Sequence, residues 1–358
     1  MNIRKATESY EKWVGARIRV VQQDLDYKHE QMAESPFEFL RATFYRWAQL
    51  WPEICPEESK APEVLAVGDL HVENFGTWRD AEGRLIWGVN DFDETYPMSY
   101  TIDLVRLATS AHLAVAEEHL TLNTREVCDA ILEGYRRGIE AKGMPFVLAE
   151  ENRWLRIIAL SRLRDPVRFW KRFSKLGELR APIPDHIREK LEASLPDPNL
   201  PYERKRRVAG LGSLGHLRAL ALARWCGSWI AREAKVLTPS ACIWASGKSK
   251  SEKILYPEII SRAARVQDPF LQLFDTFMIR RIAPDCSRIL LASLPEDHDE
   301  ARLLEAMGFE TANIHAGSRT AIPWILRDLR DRRRRWLHRA SEKMMEATLR
   351  DWRKWRKG

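Results

Sequence analysis

Asp69 and Asn74 stand five residues apart in Val67-Gly-Asp-Leu-His-Val-Glu-Asn-Phe-Gly76, and Asp91 follows in Val89-Asn-Asp-Phe-Asp-Glu94. These residue types suit phosphoryl transfer. That chemistry asks for a carboxylate that accepts the proton of an attacking hydroxyl, and for oxygen ligands to a magnesium ion that bridges phosphates. An Asp-x-x-x-x-Asn loop supplies a base and an amide oxygen, and an acid on a neighbouring strand supplies a second ligand. Magnesium retains several waters, so a protein share this small is enough. His71 either orients Asp69 or fills a polar turn. Glu73 and Glu94 are expected to be solvated.

The elements that must position these groups follow from pattern. Residues 8–51 suggest two helices, the second begun by Ser35 as N-cap with Pro36 in the first turn. Val64–Val67 is a short apolar strand that runs into the first motif, and Arg84–Val89 is a second. The Asp-Ala-Glu-Gly turn between them suggests a hairpin-like pair. Residues 102–172 are helical in pattern, with an imperfect capping box at Thr124–Val127. The segment 174–205, rich in Pro, Lys and Glu, suggests a connection. Residues 205–295 form a small sheet with one helix starting at Pro257, although His216–Trp225 alone also fits a helix. Phe277–Ala283 and Ser287–Leu294 are its last strands. From about Asp297 the chain is helical, and one long helix carries Ile325, Leu329, Trp336, Met344 and Trp352 on a single face.

Composition bounds the rest. The chain has 358 residues, 45% apolar and 30% charged, which implies a globular protein of two lobes or domains. No apolar run approaches the roughly 20 residues of a membrane span. The first residues are polar without an apolar signal core, so a cytoplasmic location is expected. The five cysteines are scattered and form no CxxC pair, in keeping with free thiols. The net charge is +7, with much of the excess near the C-terminus. There the cations alternate with Asp328, Asp331, Glu342, Glu346 and Asp351, which argues against a dedicated nucleic-acid stripe.

The segment "GDLHVENFG…GVNDFDE…YTIDLVRLA" resembles the catalytic segment of the aminoglycoside phosphotransferase and choline kinase branch of the protein-kinase-like fold. It departs from that pattern in having Val67 where the family usually has His. The resemblance implies Asp69 as catalytic base, Asn74 and Asp91 as magnesium ligands, Asp93 as an accessory ligand and Asp103 as a structural acid bracing the loop. More broadly the chain resembles the bacterial domain-of-unknown-function 2252 family, through "SPFEFLRATF", "GDLHVENFG", "VNDFDET", "GLGSLG" and "IRRIAPDCSRI". That family label supplies no substrate.

A kinase-like enzyme also needs a part that clamps the nucleotide. Closely spaced Gly210, Gly212 and Gly215, with Ser213 among them, allow backbone amides to approach phosphate oxygens. A plain glycine hairpin is the blander explanation. The glycines are followed by a strand with Lys235, a helix with Glu258, and further strands, the order of a kinase small lobe. Arg232 competes with Lys235 as the phosphate-gripping cation, and Glu233 with Glu258 as its partner. Arg280 and Arg281 reach either phosphate or strand-flanking acids, and Ser287–Leu294 would be the hinge.

The implied fold is α+β, kinase-like, two-lobed and circularly permuted. Residues 1–204 form a helical large lobe with the catalytic and metal loops, 205–296 a small β lobe with the Gly-rich loop, and 297–358 helices completing the large lobe. The expected function is ATP- and magnesium-dependent phosphoryl transfer to a small-molecule or protein acceptor. The rivals are a pseudokinase-like nucleotide-binding module, an AMP transferase, and a metallophosphoesterase, since Gly-Asp-x-His also opens dinuclear metal sites.

Overall fold

The computed structural model describes residues 1–159, 165–247, 252–286, 288 and 299–357. Its first segment folds into four helices where two were expected: α1 (Ile3–Gly15), α2 (Gln22–Glu34), α3 (Pro36–Ala42) and α4 (Phe44–Ile54). Ser35 begins α3 as anticipated. Its backbone is extended, its side chain accepts the Glu38 N–H, and Pro36 fills the first turn. Thr43 leaves helical geometry and separates α3 from α4.

Four strands follow: β1 (Glu63–Ala66), β2 (Phe75–Arg79), β3 (Leu85–Val89) and β4 (Tyr96–Ser99). The expected pairing of the first and third of these is wrong. β3 pairs with β2, Phe75 opposite Val89, and the Asp80–Gly83 turn joins those two. β1 instead pairs with β4, Ala66 opposite Tyr96. The missed strand β2 starts on the motif's own Phe75-Gly76. Both acidic loops are therefore crossings between the same two small sheets, and this nesting brings them together. The Asn90 N–H donates to the Asn74 carbonyl at 3.0 Å.

The helical part continues with α5 (Thr101–Ala116) and α6 (Thr124–Glu140), then the short strand β5 (Phe146–Val147) against β3, α7 (Arg153–Ala159), α8 (Pro166–Ser174) and α9 (Asp185–Ala193). The capping box of α6 lies one residue earlier than expected. Asn123 accepts from the first turn and Glu126 reaches back to its N–H. The segment 174–205, read as a connection, holds α9 and the start of a strand.

A five-stranded antiparallel sheet is built from β6 (Tyr202–Arg206), β7 (Arg218–Trp225), β8 (Ser228–Val236), β9 (Gln272–Leu273) and β10 (Phe277–Ile282), in the order β6-β7-β8-β10-β9. Helices α10 (Ala241–Ser246) and α11 (Tyr256–Arg262) lie between β8 and β9 in the chain. His216–Trp225 is a strand from Arg218, not a helix, because Ala219 and Ala221 bury one face while Leu220 and Leu222 bury the other. Ile187 and Leu191 of α9 cover the first face, and Phe169 and Phe173 of α8 cover the second. The strand and hinge expected over Ser287–Leu294 lie outside the described residues.

The C-terminal part comprises α12 (Glu300–His315), α13 (Ile322–Asp331) and α14 (Trp336–Arg356). The single long helix expected here is broken at Arg332, which is extended, and Arg335, whose φ is 62°. The largest core cluster joins α4, α5, α6, α12 and α14 with β1 and β3. No helix among the described residues is long and apolar enough to cross a membrane.

Candidate functional site

The loop after β1 is held from below by Asp103 at the start of α5. Its two carboxylate oxygens accept the N–H groups of Val67, at 2.7 Å, and Gly68, at 2.8 Å. Behind Asp103 stands His315 of α12, whose Nε2 lies 2.9 Å from Oδ2 and whose Nδ1 meets the Tyr135 hydroxyl at 2.8 Å. Asp103 and His315 are wholly buried. Gly68 has a φ of +87°, and a Cβ there would stand 2.4 Å from the Glu94 carbonyl, so only glycine lets the two acidic loops approach so closely.

Asp69 emerges from this cradle pinned on one side. The Arg106 guanidinium of α5, fully buried, donates through Nε to Oδ1 at 2.9 Å and pairs with it again through Nη2. Oδ2 faces the glycine-rich turn, where a Cβ on Gly212 would be 3.2 Å away. Burial raises the Asp69 carboxyl to about 6, with Arg106 opposing the rise. Asn74 donates its amide N–H to the Asp69 carbonyl, which turns its own Oδ1 away from that contact. His71 is buried, accepts the Glu73 N–H at Nδ1, and packs edge-on to Phe37. Burial first, then nearby arginines, keep its imidazole neutral. His71 therefore shapes the loop and makes no hydrogen bond to the Asp69 carboxylate.

The second loop supplies Asp91 and Asp93, and both are paired. Lys235 of β8 forms an ion pair with Asp93 and lies 3.9 Å from Asp91. Arg288 forms an ion pair with Asp91. Burial alone would raise Asp91, but the charges of Lys235 and Arg288 hold it below the usual carboxylate range. Asp93 is pushed the other way, by burial and by Asp91. Two buried acceptors here, Asn90 Oδ1 and Asp93 Oδ1, have no hydrogen-bond partner among the described residues. Asp93 lines one cavity with Asp91 and Asn74, and these three oxygen donors would suit magnesium, whereas Asn90 lines the neighbouring cleft; no cluster of three or more His, Cys, Asp or Glu placed to hold a metal occurs among the described residues.

Glu73 and Glu94 were expected to be solvated, and neither is. Glu73 pairs with Arg41 at 3.0 Å. Glu94 accepts the Ala241 N–H at 2.7 Å and the Ser240 hydroxyl at 3.1 Å at the start of α10, and burial pushes its carboxyl up to about 8.

The glycine-rich turn completes the enclosure. Gly210 and Gly215 have φ of +74° and +98°. Arg218 of β7 donates to the Ser213 hydroxyl at 2.8 Å, and Lys28 of α2 donates to the Gly212 carbonyl at 3.2 Å. Asp69, Asn74, Asp91, Asp93, Gly210, Gly212, Ser213 and Arg288 together line a cavity of about 30 Å³. This is about the volume of one water molecule. Gly210 and Arg288 also line a neighbouring cleft of about 320 Å³.

Five of the candidate residues have other partners. Glu258 of α11 pairs with Lys253, not Lys235. Glu233, the alternative, gathers Arg207, Arg218 and Arg280 and leaves Lys235 to the two aspartates. Arg232 points to the opposite face of β8, where it donates to the Ser194 carbonyl and lies over Phe270. Alternation along one strand decides this, since residues 233 and 235 share a face and 232 does not. Gly215 serves packing, set against Leu25 and Val20. Arg281 has Cys286 and the Phe270 ring as neighbours.

Sequence reasoning missed Arg106, Asn90, Arg218 and Arg288. Arg106 carried a readable signal. It falls one turn after Asp103 on α5, the face that meets the Asp69 loop, so any polar group there must answer it.

The fold and site define an α+β protein in which paired buried acids from one sheet crossing face a lysine and a glycine-rich turn from a second sheet. Over residues 19–163 the chain matches the family model described as an uncharacterized protein conserved in bacteria, DUF2252. That span contains both acidic loops and ends before Lys235. No curated protein and no solved structure matches the chain.

Proposed function

We propose that this protein is an ATP- and magnesium-dependent phosphotransferase acting on a hydroxyl of a small-molecule or protein acceptor. One observation carries the reading: Asp69, Asn74, Asp91, Asp93 and Gly212 line one cavity, and Lys235 is paired to its Asp93, although they come from distant parts of the chain. Geometry supports the assignments. Asp69 is held at Oδ1 by Arg106, which leaves Oδ2 to accept the proton of the acceptor hydroxyl. A carboxyl raised toward neutrality by burial is well matched to that task. Asn74, Asp91 and Asp93 would hold magnesium, which when bound would supply charge neutralisation on the transferred phosphoryl group. Lys235, on the third strand of its sheet in chain order, exchanges Asp93 for phosphate oxygens once nucleotide enters. Gly210 to Ser213 present backbone to the same phosphates.

On this reading the fold is a kinase-like pair of lobes in permuted order, with the helical large lobe first in the chain. Permutation is physically tolerable where the original ends lie near each other at the surface. Among the described residues Lys235 pairs with Asp93 and neighbours Asp91 rather than a glutamate, a departure from the kinase pattern.

Calorimetry of ATP with and without magnesium, on the wild type and Asp91→Ala, tests the proposal. Magnesium-dependent binding that the substitution abolishes supports it. Equal binding in both proteins would overturn it. Mass spectrometry of acceptor or protein after incubation with ATP then separates phosphate gain from AMP gain, and neither gain alongside intact binding favours a binding module.

A further inference from the structure

The 320 Å³ cleft beside the acidic cavity has a lining far more basic than the aspartate cluster requires. Among the described residues it is lined by seven arginines and a single acid, Asp268. Three of them, Arg207, Arg218 and Arg280, converge on one carboxylate, Glu233, which is wholly buried. Two positive charges are thus left over around that buried carboxylate, with Arg218 buried and Arg207 and Arg280 partly exposed. Arg265 makes its hydrogen bond to a neutral group, the Val89 carbonyl at 3.1 Å, and stacks over Trp78 and Phe92. Arg281 has Cys286 Sγ and the Phe270 ring. The Nε–H groups of Arg218, Arg265 and Arg281 are buried with no acceptor among the described residues.

Such an arrangement is unfavourable by itself. Guanidinium groups removed from water need counter-charge and acceptors. Burial pulls Arg207 down to about 10, and lowers Arg265 and Arg288 as well. A multivalent anion reverses this penalty, and planar guanidinium forks match phosphate oxygens two at a time.

We propose that the arginine cleft binds a polyphosphorylated small molecule through its phosphate groups, without a metal ion. The ligand carries three or more phosphates, as in a nucleoside polyphosphate, an inorganic polyphosphate chain or a polyphosphorylated polyol. Arg207, Arg218 and Arg280 meet one part of it, and Arg265, Arg281 and Arg288 the rest. The cleft volume falls within the roughly 300–1,000 Å³ of small-ligand sites. The inference rests on the proposed function only in placing this ligand next to Asp91. It differs in needing neither magnesium nor Asp91.

Fluorescence titration, with Trp78 in the cleft wall as reporter, tests this in buffer containing EDTA. The probes are inorganic tripolyphosphate, myo-inositol hexakisphosphate, ATP and adenosine. Tripolyphosphate is expected to bind at micromolar concentration, about equally to the wild type and Asp91→Ala, and adenosine not at all. Arg281→Gln and Arg172→Glu, the second at the seventh arginine of the lining, on α8, leave Glu233 and its three partners intact and are each expected to weaken binding about tenfold. Affinity should also fall steeply with salt. If hexakisphosphate outcompetes ATP, the cleft stands as a site for a non-nucleotide polyphosphate. If ATP wins, it stands as the seat of the nucleotide. Absence of tripolyphosphate binding to the folded wild type, or affinities unmoved by both arginine substitutions, overturns the proposal. Loss of magnesium-dependent ATP binding with metal-free anion binding retained defeats the phosphotransferase reading and leaves this one in place.

Discussion

Gly212 faces Asp69 so closely that a Cβ on the glycine would stand 3.2 Å from the carboxylate Oδ2 and 3.2 Å from the Arg41 carbonyl. Its backbone is not left-handed, so alanine is conformationally acceptable there and the effect of substitution is one of space. Gly212→Ala is expected to fold with a loss of about 1 kcal/mol, because the turn must shift by a few tenths of an ångström. Nucleotide binding should fall much further, since the added methyl occupies the gap between Asp69 and the turn. Urea denaturation and ATP calorimetry on the same samples check this. A stability loss with full binding would show that the gap is not used.

Lys235 joins the five-stranded sheet to the acidic loop, and it is 1% exposed. Removing it strands Asp93, while Asp91 keeps Arg288. Lys235→Met should therefore destabilise the fold by about 3–5 kcal/mol, the usual result of breaking a buried pair from one side. Lys235→Met with Asp93→Asn removes the stranded charge and should recover much of that loss, while nucleotide binding stays absent. A thermodynamic cycle of the two single variants and the double variant measures the coupling.

Much of this enclosure was legible in the sequence, and what was missed has identifiable causes. Asp69, Asn74 and Asp91 were legible by residue type in loops next to short apolar strands, but it is the nesting of β2–β3 between β1 and β4 that brings them together. The strand β2 was missed because it starts within the motif, where the Asn-Phe-Gly run suggests a turn. That one omission mispaired β1 and β3. Period-two alternation is weak over β7 because both of its faces are apolar and covered, by α9 and α8, and for that reason a helix also fitted His216–Trp225. The split of α13 from α14 left no sequence signal because four successive arginines are compatible with helix, and the break appears as extended backbone at Arg332 and positive φ at Arg335. Arg218 and Arg288 were illegible for another reason. A cation's partner is set by register between distant strands, which one sequence does not encode locally.

Glu310 of α12 predicts a pH dependence. Its Oε1 accepts the Val89 N–H at 3.2 Å and its Oε2 the Asn313 amide at 2.7 Å, on the last residue of β3 and one turn along α12 respectively. Burial pushes this carboxyl up to about 7, with Arg265 opposing the rise. An unfolded glutamate titrates near about 4.3, so the folded chain holds the proton more tightly. Its contribution to stability is then fully present below about pH 4.3 and lost as pH rises through 7. The window is worth on the order of 3 kcal/mol at about 1.4 kcal/mol per unit. The urea midpoint of the wild type should fall between pH 5 and pH 8, and that of Glu310→Gln should fall less. Glu94, also raised, contributes to both slopes, so their difference is the quantity to compare. Identical slopes would exclude the assignment.

The contact between α6 and α12 couples a remote packing defect to the site. Gly134 and Gly308 bring these helices into backbone contact. A Cβ on Gly134 would stand 1.8 Å from the Glu305 carbonyl, and one on Gly308 would stand 2.1 Å from the Ile131 carbonyl. Neither overlap is relieved by a rotamer change, because the obstructing atoms are main chain. Gly134→Ala must therefore push the helices apart, at a loss of about 3 kcal/mol or more. α6 also carries Tyr135 and α12 carries His315, and that pair reaches Asp103 under the Asp69 loop. Separation of the helices should loosen the two amide bonds that Asp103 accepts. Hydrogen exchange reads this directly. The Val67 and Gly68 amides are expected to exchange faster in Gly134→Ala than the overall loss of stability explains, while amides of β7 and β8 change only in proportion to it. A uniform change across both regions would mean that the helix pair and the site do not communicate.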